Sequence, residues 1–153
     1  MKKYVLLVLI ILWMGVIFIF SSKTGSESTK QSDGFISITI GNIVSIFDKS
    51  LTNEEKERII DIVEVPIRKI AHITEYFILT ILVSLFVNSY KISIKNVVYI
   101  TFAICVLYSC SDEIHQLFVS DRSGQIIDVL IDSIGISIWL IIYYLYKRKE
   151  VLK

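Results

Sequence analysis

The chain has 153 residues, enough for one domain of ordinary size. Its 54% hydrophobic content and mean hydropathy of +0.65 exceed the roughly 45–50% apolar share of soluble domains. The excess falls in blocks, as membrane spans require, and a formal net charge of +1 without any RNA-binding motif argues against a nucleic-acid partner.

The first apolar block runs from Tyr4 to Phe20, behind Lys2 and Lys3. It is longer than the roughly 7–15 residues of a signal-peptide core, and no Ala-x-Ala-like site follows, so we expect an uncleaved span starting in the cytoplasm. Residues 21–65 are more polar. Apolar residues at 36, 40, 43, 44 and 47 recur at helical spacing, predicting an amphipathic extracytoplasmic helix. Thr52-Asn53-Glu54-Glu55 has the form of a capping box and predicts a short helix ending near Val65. Pro66, the only proline, suits the first turn of the next helix.

The second span is expected over about 66–87, the third over 96–118 and the fourth over 126–146, with Lys147-Arg148-Lys149 closing the last. The fold class is therefore all-α: an integral membrane four-helix bundle with an amphipathic segment between spans one and two, forming one domain. Lys2, Lys3, Lys91, Lys95, Lys147, Arg148, Lys149 and Lys153 then crowd one side, which the positive-inside rule assigns to the cytoplasm with both termini. Cys105 and Cys110, five residues apart in one span, point in different directions and are poorly placed to bridge. They fit no zinc spacing.

Four polar clusters fall at the outer end of the four spans. They are Ser21-Ser22-Lys23, Arg68-Lys69 with His72, Glu75 and Tyr76, Asp112-Glu113 with His115 and Gln116, and Arg122 with Asp128 and Asp132. Ionisable residues inside spans are costly and mark functional sites. Along span two, about 12 residues separate Glu75 from the inner end, roughly 18 Å of helix, and the same arithmetic puts Asp112 and Asp132 in the outer third of a core about 30 Å thick. Steps of three and four put Arg68, His72, Glu75 and Tyr76 on one face, whereas Glu113 points away from Asp112. Helix N-termini near Arg68 and Arg122 would add positive charge and favour an anion such as phosphate.

Three uses are open. The charges can pair with one another (Arg68 or Arg122 with Asp128, His72 with Asp112) and fix the bundle. They can bind a membrane lipid headgroup or a lipid-linked cell-wall precursor, with Arg68 and Arg122 on its phosphate. Or they can catalyse, with Glu75 or Asp112 as acid or base beside His72 and His115. Ser21 and Ser22 are then candidate nucleophiles near a histidine, although such serines more often just end a helix. His72-x-x-Glu75 is a usable ligand spacing, but no strong metal signature is present and no cofactor is indicated.

The clusters in this order resemble the VanZ-like family of small integral membrane proteins. The resemblance rests on Phe20-Ser21-Ser22, Arg68-Lys69-x-Ala71-His72-x-x-Glu75-Tyr76, Ser111-Asp112-Glu113-x-His115-Gln116, and Arg122 followed by Asp128-Val129-Leu130-x-Asp132-x-x-Gly135. It covers nearly the whole chain. Lys23 stands where the family often has Gln, Asp121 where Gly is common, and Asp132 where Asn is frequent. The resemblance implies a role in the bacterial cytoplasmic membrane. It also implies accessory resistance to glycopeptide antibiotics, teicoplanin more than vancomycin.

Overall fold

The computed structural model describes residues 2–23, 52–120, 122 and 124–151, and its regular structure there is entirely helical. The helices are α1 (Lys2–Ser21), α2 (Asn53–Asn88), α3 (Ile94–Gln116) and α4 (Ile126–Val151). Each contains a stretch long and apolar enough to cross a membrane: Lys2–Ser21, Pro66–Asn88, Ile94–Gln116 and Ile126–Glu150. This is the four-helix, all-α membrane architecture the hydropathy blocks require. The amphipathic helix expected around residues 36–47 lies outside the described residues.

The capping box at Thr52 forms as its sequence dictates. Glu55 N donates to Thr52 Oγ1 at 3.3 Å, and Thr52 N donates to the Glu55 carboxylate at 2.8 Å. The helix it opens does not stop near Val65, however. It runs through Pro66 to Asn88 as one element of 36 residues. An internal proline removes one backbone bond and crowds the preceding turn, and the rest of the ladder on either side carries the helix past it. The N-terminus of α2 is therefore at Asn53, so its dipole adds no positive charge at Arg68. The third span starts two residues earlier than expected because Ser93 caps it, accepting from Asn96 N at 3.3 Å. The fourth continues through Arg148 and Lys149, whose charges suit a helix C-terminus.

The helices alternate in direction. At one end Lys3 at the start of α1 lies 5.9 Å from the ring of Tyr90, just past α2, while Tyr143 of α4 donates to Asn88 Oδ1 at 2.9 Å. Contacts are densest between α2 and α4, with α3 closing a triangle and α1 lying mainly against α2. Gly135 permits the α2–α4 approach, since a Cβ there would collide with the Ile73 carbonyl.

Buried residues trace one stripe per helix: Ile10, Ile17 and Ser21 on α1, and Tyr76, Leu79, Thr80, Val83, Ser84 and Val87 on α2. On α3 the stripe is Val97, Thr101, Cys105, Ser109, Asp112 and Gln116, small or polar at nearly every step. Large apolar side chains such as Leu107, Leu12 and Ile141 face outward. Small and polar groups inside with bulky apolar groups outside is the distribution expected of a bundle in lipid. Both cysteines are free.

Candidate functional site

At the end of the bundle opposite the Asn88–Tyr143 contact, the C-termini of α1 and α3 meet the start of α4 and the stretch of α2 just past Pro66. The sequence clusters come together here. His72 Nδ1 lies 3.8 Å from a Glu75 oxygen and 3.8 Å from Asp132 Oδ1. Asp132, buried on α4, also accepts a 2.6 Å hydrogen bond from Ser109 on α3. The Asp112 carboxylate receives the Gln116 amide at 3.4 Å, and Tyr76, fully buried, lies within electrostatic reach of Asp112 and Asp132.

Ser22 and His115 also meet, with Oγ 3.0 Å from Nε2, and Phe18 stacks beside the imidazole at 4.4 Å between ring centroids. The Ser22 hydroxyl has one proton, and a carbonyl can only accept. Its 2.6 Å contact with the Phe18 carbonyl therefore uses that proton and leaves His115 Nε2 as the donor. In this arrangement the histidine steadies the serine and does not activate it. Ser21 is buried one residue back, facing Asp112.

The charged rim departs from the pairings the sequence offered. Lys69, not an arginine, approaches Asp128, at 4.0 Å, and His72 sits between Glu75 and Asp132 rather than on Asp112. Among the described residues neither Arg68 nor Arg122 forms a salt bridge to a carboxylate. Arg122 Nε donates instead to the Lys23 carbonyl at 3.1 Å, tying the loop before α4 to the end of α1. Burial, and then the charge of Arg68, press Arg122 below the usual guanidinium range, while Asp112, Glu113 and Asp128 pull the other way.

Two participants escaped the sequence reading. Glu113 does not turn away from the cluster; it is buried, accepting from the Gln116 amide at 3.3 Å and from Gln125 N at 2.9 Å. Its role is to fasten the α3–α4 loop. Ser109 had a usable signal, for it lies three residues before Asp112 and so shares its helix face. Among the described residues, no group of three or more His, Cys, Asp or Glu side chains could hold a metal ion.

These features define a multi-pass membrane protein with polar groups from every span, and ionisable ones from three of them, gathered at one end of the bundle. The family model described as VanZ/LLP1 matches residues 6–147, and the chain belongs to that family. The match reaches into all four spans and covers every residue of the cluster. No curated protein and no solved structure matches the chain.

Proposed function

We propose that this chain is an envelope protein of the bacterial cytoplasmic membrane that lowers sensitivity to teicoplanin-type lipoglycopeptides. It does so by engaging the phosphate of a membrane lipid or lipid-linked cell-wall precursor at the outer leaflet. The carrying observation is the Arg68–Arg122 pair. Two half-buried guanidiniums within electrostatic reach of each other stand, among the described residues, without a carboxylate salt bridge beside a cluster rich in acids. Planar, permanently charged forks in that position suit a phosphate. The lysines of the α2–α3 connection and of both chain ends favour a cytoplasmic location for the opposite end, which turns the site outward. Teicoplanin carries an acyl tail and acts at the membrane surface, so an outer-leaflet site is where interference would be effective.

The test is the teicoplanin inhibitory concentration of a sensitive Gram-positive host with and without the chain. The wild type raises it several-fold, and Arg68→Gln with Arg122→Gln, at equal membrane abundance, does not. Protection that survives the loss of both arginines contradicts phosphate engagement.

A second reading, a small membrane enzyme acting on a phosphorylated lipid, draws on His72 lying between Glu75 and Asp132. It assigns proton transfer to Glu75 or Asp112 and predicts product accumulating in membranes that hold the wild type and none with Glu75→Gln.

A further inference from the structure

We infer that the buried acids of this cluster hold the ammonium group of a phosphorylated amine, ethanolamine phosphate being the simplest, whose phosphate rests on Arg68 and Arg122. The inference rests on the phosphate reading above and specifies what lies beneath that phosphate.

Among the described residues, five buried polar atoms at this end of the bundle have no hydrogen-bond partner: Ser21 Oγ, His72 Nδ1, Tyr76 Oη, Asp112 Oδ1 and Asp132 Oδ1. Ser21, Tyr76, Asp112 and Asp132 are 2%, 0%, 3% and 1% exposed. Each helix contributes at least one of these atoms, and they are neighbours: Tyr76 is within electrostatic reach of both aspartates and close to Ser109, and the Ser21 hydroxyl is turned toward Asp112 beyond ideal hydrogen-bond geometry. Buried polar groups in native proteins are almost always satisfied, so a cluster of five points to a common occupant.

The carboxylates call for donors and positive charge beyond the single hydroxyl protons of Ser21 and Tyr76. Glu75, Asp112 and Asp132 supply three carboxylates, and His72 stands 3.8 Å from two of these, too far for a hydrogen bond. A primary ammonium brings three donors and a full charge; a hydroxyl brings one donor and none.

The guanidiniums fix the other half of the ligand. Arg68 lies one turn before His72 on α2, and Arg122 precedes Asp128 and Asp132 in the chain. On α2 a phosphate at Arg68 is about one helical turn, roughly 5.4 Å of rise, from the His72 level of the acids, and the two-carbon link of ethanolamine covers such a gap. Phosphate alone leaves the acids unmatched, and an amine alone leaves the arginines unmatched. Together they complement both layers. The same chemistry is presented by an aminophospholipid headgroup and by soluble ethanolamine phosphate.

The experiment measures lipid binding to the purified full-length chain in detergent by native mass spectrometry. Three lipids with identical chains are compared: phosphatidic acid (phosphate alone), phosphatidylglycerol (phosphate with hydroxyls) and phosphatidylethanolamine. The expected result is that phosphatidylethanolamine binds about tenfold more tightly than the other two. Asp132→Asn removes that preference while phosphatidic acid still binds at least as tightly as to wild type; Asp112→Asn serves if Asp132→Asn does not fold. Arg68→Gln with Arg122→Gln weakens all three lipids. Displacement of phosphatidylethanolamine by soluble ethanolamine phosphate supports the inference with a soluble source, and a retained preference without displacement supports it with the lipid as source. Equal binding of phosphatidylethanolamine and phosphatidic acid, both sensitive to the arginines, overturns the ammonium site and leaves the phosphate reading standing. Phosphatidylglycerol bound most tightly overturns it in favour of hydroxyl recognition. Binding insensitive to the arginines overturns the phosphate reading and this inference with it.

Discussion

Asp132 shows how the site is held residue by residue. A carboxylate buried inside a membrane bundle needs donors, and the structure supplies Ser109 at 2.6 Å on one oxygen while His72 stands off the other at 3.8 Å. Ser109→Ala removes the shorter contact and leaves a buried acceptor bare, at a cost of about 1–3 kcal/mol. A denaturant titration in detergent should show that loss, whereas Ser111→Ala, altering an exposed hydroxyl that bonds only within its own helix, should show almost none. None of these cross-helix partners was legible in the sequence, because Ser109 and Asp132 lie 23 positions apart. Periodicity assigns a residue to a face but not to its opposite number on another helix. It was enough to bring Arg68, His72, Glu75, Tyr76, Asp112 and Asp132 to one end. It failed for Glu113, because that carboxylate reaches the loop after its own helix instead of the next helix.

At the scale of elements, α2 and α4 depend on a close backbone approach at Gly135. Gly135→Ala must push the Ile73 carbonyl away and should destabilise by about 1–3 kcal/mol. Gly15 on α1 has nothing within 4 Å of a would-be Cβ. Gly15→Ala should therefore be neutral or stabilise by up to about 1 kcal/mol through helix propensity. Equal thermal melting shifts for the two variants would contradict the packing described. The boundary error at Pro66 has a physical origin too. Proline is equally at home in a first helical turn and tolerable within a long helix whose flanks are well formed, so sequence alone reads it as a start. Pro66→Ala, which restores a backbone donor at an exposed position, should leave the bundle intact and raise its stability.

For the whole molecule, the four spans were legible because hydropathy is nearly sufficient to define them in lipid, where backbone groups must be satisfied within each helix. Orientation rests on the lysines that flank the end away from the site. It predicts that Ser120→Cys, in a chain with Cys105 and Cys110 replaced by Ala, reacts with an impermeant maleimide added to intact cells, and that Ser89→Cys does not. The reverse pattern would put the charged cluster in the cytoplasm and remove the basis for outer-leaflet engagement.

The central claim is that the clustered side chains, and not the bundle as such, carry the function. Its most direct test is the teicoplanin inhibitory concentration of a sensitive Gram-positive host expressing either wild type or Glu75→Gln at matched membrane levels. The variant keeps the size of the side chain and removes its charge beside His72. The account predicts protection by wild type and loss of most of it with Glu75→Gln. Equal protection by both would contradict it.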